Sequence, residues 1–264
     1  MEGMIGVGKK VFQLAKVEDN RAVNPGVFQL ILHSPDVAAE ALPGQFVMLG
    51  LSGLNRDPLL KRPYSIAGAE KGTGKVRIIY RVVGRGTEGL SHKQPGEMLE
   101  IIGPLGHGFD IAGKKTLLVG GGMGLAPLLF AAQTICPGSL EVLAGGRSKN
   151  EMFWQDLFQS SCNKIHITTD DGTFGACGTC VDILPQIARG GEFDSILTCG
   201  PLPMLRGVAA YAIEHNIPCQ VSLEQHMACG FGACLTCTCA TKNGGNAQVC
   251  KHGPVFKAGE VDLC

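Results

Sequence analysis

Four cysteines near the C-terminus have a spacing that suits few roles. Cys229, Cys234 and Cys237 give C-x4-C-x2-C, and Cys250 follows after 12 intervening residues. That is the ligand spacing of a plant-type 2Fe-2S cluster. One loop can carry the first three thiolates. Gly230 and Gly232 would let its backbone approach the sulfides with no Cβ in the way. Zinc and plain buried thiols are the other readings, although zinc sites usually show two short Cys pairs or His partners. Cys239 could replace Cys237 if the loop shifted, but Cys237 keeps the two-residue gap. Cys177 and Cys180 form a second C-x2-C that stands alone, so two free thiols in a loop is the reading taken there. The seven histidines show no paired ligand spacing.

Two glycine-bearing turns could hold a phosphate. Val119-Gly120-Gly121-Gly122-Met123-Gly124-Leu125-Ala126-Pro127 lies between a strand-like and a helix-like run. Glycine admits a tight turn and a close pyrophosphate, and the helix N-terminus adds free N–H groups and a favourable dipole. Gly122 and Gly124 match the first two glycines of GxGxxG, while Pro127 replaces the third. Glu141 follows at about the distance of a ribose-binding acid, but at the start of the next strand, not its end. Thr198-Cys199-Gly200-Pro201 ends another apolar strand, the place where open α/β sheets bind ligands. Either turn could instead be purely structural.

A third group precedes these. Arg62-Pro63-Tyr64-Ser65 offers a planar cationic fork, a flat ring and a short hydroxyl. Ile79-Tyr80-Arg81 and then Gly84-Arg85-Gly86-Thr87 follow. By chemistry alone this is an anion site beside aromatic rings, or a solvated loop.

The elements that must position these residues change character twice. Up to about residue 109, short apolar or alternating runs at 27–32, 45–49, 75–83 and 97–103 predict an antiparallel barrel or sandwich. From 110 to about 218, strand-like runs at 115–120, 140–146, 164–170 and 194–200 alternate with helix-like runs at 125–136, 150–161, 181–190 and 203–216. That alternation predicts a parallel sheet with helices on both faces. Residues 219–264 hold more than half of the chain's 12 cysteines and little periodicity, so a metal staple would help them fold. The expected units are therefore 1–109, 110–218 and 219–264, with a ragged start up to about Val7.

Composition closes off other classes. The 23 Lys and Arg cancel 23 Asp and Glu, so no global field favours nucleic acid or an anionic membrane. No apolar run is long enough to span a bilayer, and the N-terminus lacks a signal-peptide pattern. A cytoplasmic location, with reduced thiols, is expected.

Taken in order, RPYS, IYR, GRGT, GGGMGLAPL and TCGP resemble the ferredoxin–NADP reductase superfamily. The appended SLEQHMACGFGACLTCTC (222–239) is similar to the electron-transfer subunits of class 1B dihydroorotate dehydrogenases. The resemblance runs from about residue 10 to 256 and implies β plus α/β architecture. An FAD-binding antiparallel β-barrel would come first, then a pyridine-nucleotide domain with a parallel sheet, then a small 2Fe-2S domain. It further implies that Arg62, Pro63, Tyr64 and Ser65 hold FAD, with Arg62 near the pyrophosphate and Ser65 near the reactive flavin edge. Ile79, Tyr80 and Arg81 would line the flavin and its ribityl chain, and Gly86 and Thr87 would cap the diphosphate. Gly122, Gly124, Cys199, Gly200 and Pro201 would frame NAD(H), and Cys229, Cys234, Cys237 and Cys250 would bind the cluster. Glu224 would lie near the flavin.

The implied activity is an NAD-linked flavin and iron–sulfur oxidoreductase subunit in pyrimidine biosynthesis. Electrons would run from an FMN-containing dihydroorotate dehydrogenase catalytic subunit, through the cluster and FAD, to NAD+. The expected assembly is a heterotetramer with two of each subunit. FAD can exchange hydride with NAD and single electrons with the cluster, so it belongs between them. No protein nucleophile is needed for that passage, and no Ser-His-Asp or Cys-His arrangement stands out.

The sequence also departs from the superfamily's pattern. Cys177 and Cys180 stand in the nucleotide loop 168–183, where Asp170 and Asp171 either face the nucleotide or punctuate a turn. Arg147 and Lys149 could favour a 2′-phosphate, which leaves NADP open. The rivals are the small subunit of a ferredoxin–NADP oxidoreductase or hydrogenase complex, a non-enzymatic zinc-stapled module, and a redox sensor. In some of those related complexes an Asp replaces one cluster cysteine, whereas here all four are Cys.

Overall fold

Alternating burial along the first strands closes them into a barrel. The computed structural model describes residues 10–51, 58–111, 115–189 and 192–263. The expected ragged start up to Val7 and the thiol of Cys264 fall outside those residues. The barrel strands are β1 (Val11–Asn24), β2 (Val27–His33), β3 (Phe46–Leu51), β4 (Arg62–Glu70), β5 (Lys75–Arg81) and β6 (Met98–Leu105). They pair antiparallel in the closed order β1-β2-β5-β4-β3-β6. Ala15, Val17, Leu30, Leu32, Ile66, Val76, Ile78, Leu99 and Ile101 fill the inside. Helix α1 (Pro35–Glu40) plugs one connection, and α2 (Arg85–Ser91) follows β5.

The next layer is a parallel sheet. Its strands are β7 (Thr116–Gly121), β8 (Leu140–Gly146), β9 (Lys164–Thr169), β10 (Ala176–Cys177), β11 (Ser195–Cys199) and β12 (Cys219–Ser222). Helices α3 (Leu125–Thr134), α4 (Trp154–Phe158), α5 (Cys180–Ile187) and α6 (Leu202–Glu214) connect them. The central strands β7 and β8 are buried along almost their full length, as a sheet covered on both faces requires. Helix α3 is apolar all round because it is wedged between sheet and barrel: Leu128 packs in the sheet's core, and Phe130 in the barrel's.

The C-terminal segment supplies β13 (Thr238–Ala240), β14 (Asn246–Gln248), α7 (Val249–His252) and β15 (Val255–Lys257). β13 and β14 form a hairpin, whereas β15 pairs antiparallel with β12 and extends the large sheet. The division expected at 218/219 falls just before β12, which pairs with β11. Cys237, Cys250 and Val249 share one core with Phe46, Met48 and Leu105 of the barrel and with Met204 and Leu205 of α6. This segment thus packs against both larger units rather than around a core of its own. Among the described residues, no helix is long and apolar enough to cross a membrane.

Candidate functional site

All nine barrel candidates line one cavity of about 670 Å3: Arg62, Pro63, Tyr64, Ser65, Ile79, Tyr80, Arg81, Gly86 and Thr87. β4 and β5 present the first seven, and the first turn of α2 presents Gly86 and Thr87. Tyr80 is fixed from both sides. Its ring stacks on Phe28 with centroids 5.7 Å apart, and its hydroxyl donates to Asn20 Oδ1 at 3.1 Å. Asn20 is itself oriented, because its Nδ2 donates to the carbonyls of Leu90 and Lys93 at 2.8 and 3.0 Å. Tyr64 meets Tyr80 edge-on at 6.0 Å. Burial pushes the Tyr64 hydroxyl up to about 12 against the lowering pull of Arg62, and burial likewise raises Tyr80. Both rings therefore stay protonated at neutral pH.

The cavity suits a flat ring system with a diphosphate. Tyr64 and Tyr80 supply the flat walls, and Arg62, Arg81 and Arg85 bring positive charge. Arg81 Nε is a buried donor with no hydrogen-bond partner among the described residues. The Thr87 hydroxyl serves its own turn instead. It accepts from the N–H groups of Val83 and Gly84 at 2.9 and 3.1 Å and donates to the Gly84 carbonyl at 2.9 Å. Gly84, Arg85, Gly86 and Thr87 at the start of α2 line the cavity, where a helix has N–H groups without partners in its own turn.

The far wall comes from elsewhere in the chain. Met123 and Ala126 of the glycine turn and α3, residues 222–225, Met227 and Pro254 complete it. Glu224 is open to the cavity, yet the walls shield it from bulk water, and that desolvation raises its carboxyl pKa. The native state then holds its proton more tightly than the unfolded chain. The penalty is absent below the ordinary carboxyl pKa of 4.5 and grows as pH rises through the native value. Glu224→Gln is expected to raise the melting temperature of the FAD-free chain at pH 7, with the gain vanishing near pH 4. Thermal melts across that range check it, and a gain that persists at pH 4 would contradict it.

A second cleft, of about 590 Å3, adjoins the first. Gly121, Gly122, Gly145, Arg147, Asp170 and Pro201 line it at the carboxyl ends of β7, β8, β9 and β11, and Arg81 and Met123 line both cavities. Gly122 takes φ +56°, open to glycine at no cost. Gly124 serves packing: a Cβ there would run into the backbone of Cys199 and Gly200. Gly124, Gly200 and Pro201 border a third cavity of about 320 Å3 that reaches Cys239 and Leu263. Cys199 lines none of the three and is buried beneath the turn, its thiol raised by burial and then by the Glu224 charge.

Several residues of the nucleotide region fall outside the sequence reading's site. Glu141 lies at the other end of its strand, paired with His166 at 2.8 Å and Lys115 at 3.5 Å. Cys180 is buried and lines the 590 Å3 cleft, its Sγ 3.6 Å from the Gly120 carbonyl, while Cys177 is exposed. Glu151 belongs to this cleft too, four residues after Arg147, the spacing of a helical ion pair.

The cluster candidates lie on the loop between β12 and β13 and on α7. Cys237 and Cys250 are buried, Cys229 is half-buried, and Cys234 is exposed. Cys229 Sγ accepts the Ala233 N–H at 3.3 Å, and Cys237 Sγ accepts the Cys250 N–H at 3.4 Å. Such N–H donors favour thiolates, and metal binding requires them. The Thr236 hydroxyl and N–H lower Cys234 to about 6, with the backbone of Cys229 adding to them. Burial, and then Cys237, raise Cys250 to about 12. Gly230 takes φ +79°, and a Cβ there would meet Met48 Cγ at 2.5 Å. Among the described residues, no three His, Cys, Asp or Glu side chains converge on a single ion position. A 2Fe-2S cluster divides its four thiolates between two irons. The all-thiol donor set with N–H groups at two sulfurs fits that group. Cys239 sits on β13 opposite Ala247.

A closed antiparallel barrel whose flavin-sized cavity opens onto the strand ends of a parallel sheet defines a flavin-dependent oxidoreductase of the ferredoxin reductase type. Residues 14–109 match the oxidoreductase FAD-binding domain, and residues 224–262 match the iron–sulfur cluster binding domain of dihydroorotate dehydrogenase B. The chain is 39% identical over 255 residues to the dihydroorotate dehydrogenase B (NAD(+)) electron transfer subunit of Bacillus caldolyticus, covering 94% of this chain and 97% of that one. It is 38% identical over 251 residues to the same subunit of Caldanaerobacter subterraneus, with the same coverage. Among solved structures, a chain of the NADH-dependent reduced ferredoxin–NADP oxidoreductase superposes with a TM-score of 0.83 at 28% identity, over 100% of this chain and 92% of that one. The chain belongs to the family of dihydroorotate dehydrogenase B electron transfer subunits.

Proposed function

We infer that this chain is the electron-transfer subunit of an NAD-linked dihydroorotate dehydrogenase, working with a separate catalytic subunit in the cytoplasm. The observation that carries this is the cavity pair meeting at Arg81 and Met123, in a chain related to those subunits along 94% of its length. Bound FAD supplies the exchange between a two-electron hydride carrier and the one-electron cluster. Three units divide the work: 1–109 for FAD, 110–218 for NAD(H) and 219–264 for the cluster.

Each residue's proposed task follows from what it touches. Arg62 and the N–H groups around Gly86 and Thr87 hold the diphosphate, and Pro63, Tyr64, Ser65, Ile79 and Tyr80 clamp the flavin. Arg81 offers its orphan Nε where the two cavities join. Gly122, Gly200 and Pro201 leave space for the nicotinamide nucleotide, with Gly124 and Cys199 packed behind them. Cys229, Cys234, Cys237 and Cys250 hold the irons. Met123, which lines both cavities, would close water out where they join. The partner, an FMN-containing subunit in a two-plus-two assembly, docks at the exposed side of the Cys234 loop.

An anaerobic co-purification with the catalytic subunit tests this. Dihydroorotate-dependent reduction of NAD+, with FMN, FAD and iron in the complex, is expected. Full FAD and iron with no such activity would refute it. The 28% identical neighbour favours one alternative, a subunit of a ferredoxin–NADP oxidoreductase complex. Ferredoxin-dependent reduction in place of dihydroorotate-dependent reduction would select that reading.

A further inference from the structure

Two cations stand just beyond the carboxyl end of β8, Arg147 and Lys149. At that strand end a carboxylate can take the ribose 2′-hydroxyl of NAD, or an arginine the 2′-phosphate of NADP. Arg147 is already engaged. Its Nε and Nη2 donate to Glu151 Oε1 at 3.0 and 2.6 Å, and its backbone N–H donates to Oε2 at 3.0 Å. Both terminal nitrogens of Arg81 reach the same Oε1 at 3.3 Å. The Glu151 side chain is 14% exposed and the Arg147 side chain 74%, so the carboxylate is the anchored member of the pair. Gly146 leaves room for this segment, since a Cβ there would run first into Met152 Cε and then meet Glu151 Cβ at 3.2 Å and Oε2 at 3.4 Å. The Lys149 ammonium lies over the Phe174 ring, 5.8 Å from its centroid. Asp170 adds a second carboxylate to the same cleft.

We propose that Glu151 sets a preference for NAD over NADP. By occupying Arg147 and Arg81 it takes up the positive charge that a 2′-phosphate needs, and with Asp170 it leaves the groups that line this end of the cleft with no net positive charge to hold a dianion. This rests on the reading of the 590 Å3 cleft as the nucleotide site. It assigns the selectivity to a residue outside the glycine turn. The two guanidinium groups against two carboxylates give a formal charge of zero, and Glu151→Gln leaves one positive charge.

The test uses the FAD- and iron-loaded chain. kcat/KM is measured for NADH and NADPH with ferricyanide as acceptor, and calorimetry gives Kd for ADP and for 2′,5′-ADP. The wild type is expected to favour NADH and ADP. Glu151→Gln is expected to raise the NADPH/NADH ratio about tenfold and tighten 2′,5′-ADP by a similar factor, as one freed arginine–phosphate contact would. A second change, Arg147→Gln, should cancel that gain. An unmoved ratio in Glu151→Gln, at wild-type FAD content and melting temperature, overturns the assignment. If Glu151→Gln does not fold, Arg147→Gln alone decides. An unchanged ratio is expected, and a tenfold fall in NADPH use means Arg147 was already reading the phosphate and overturns it. A wild type that binds neither ADP nor 2′,5′-ADP refutes the nucleotide reading itself, and this assignment with it.

Discussion

Cys237→Ser is expected to empty the chain of iron while FAD stays bound at wild-type stoichiometry. The nine barrel residues that line the FAD cavity lie on β4, β5 and α2, and none is a cysteine. Cys237 is buried in the core shared with Met48 and Leu105, and its Sγ takes the Cys250 N–H at 3.4 Å. Serine is a poor iron ligand, and its buried hydroxyl would need a new partner. Electron transfer to the partner should fall at least about a hundredfold, since even outer-shell changes around metals cost about 10–100-fold. NADH reduction of the flavin should persist. Cys234→Ser should do the same, with less effect on stability because Cys234 is exposed. The decisive contrast is Cys239→Ser. Cys239 borders the 320 Å3 cavity beside the glycine turn, and its backbone is held in the hairpin opposite Ala247. It should keep its iron. Iron lost from Cys239→Ser and retained in Cys237→Ser would exchange the two residues in the ligand set.

The residues that could be read ahead of the structure were those whose job is local. KVRIIYR alternates, and β5 covers Lys75–Arg81; LEVLAGG is apolar but for Glu141, and β8 covers Leu140–Gly146. The cysteine spacing was legible because three of its four members share one loop. What could not be read depends on distant partners. β1 was missed because Phe12 and Leu14 face outward, 67% and 55% exposed, while Ala15 and Val17 face in, which inverts the usual pattern. The run VEDNRAVN then looks like a loop, and only pairing with β2 and β6 makes it a strand. β4 opens on Arg62-Pro63, and proline argues against strand until the position is known to be its start. Pro254 and Met227 reach the FAD cavity from the C-terminal segment, and no spacing rule links them to RPYS. Glu151 carried a signal, its four-residue step from Arg147, but the second half of its role lies 70 residues away in Arg81.

Gly124→Ala should disable the nucleotide site more completely than any change to a cleft-lining side chain. A methyl group at that position would press on the carbonyl and Cα of the β11 turn, at Cys199 and Gly200. Backbone cannot rotate aside as a side chain can, so β7–α3 and β11 must separate. Overpacking of this kind costs roughly 1–3 kcal/mol. The same displacement moves Gly122 and Pro201, which line the 590 Å3 cleft, and Met123 and Ala126, which wall the FAD cavity. A shift of about 1 Å in a reacting geometry can cost on the order of 100-fold in rate. NADH reduction of the flavin should therefore fall by about that factor, with weaker FAD retention beside it. Gly122→Ala offers the comparison. It meets no atom within 4 Å but must hold φ +56°, so its cost should be about 1–2 kcal/mol of backbone strain with the two cavities kept in register. Gly138→Ala, with nothing within 4 Å, should stay within about 0.5 kcal/mol of wild type. Stopped-flow flavin reduction and thermal melts on the three variants separate these outcomes. A Gly124→Ala chain that reduces its flavin at the wild-type rate would mean that the β7–α3 turn does not hold the nicotinamide against the flavin.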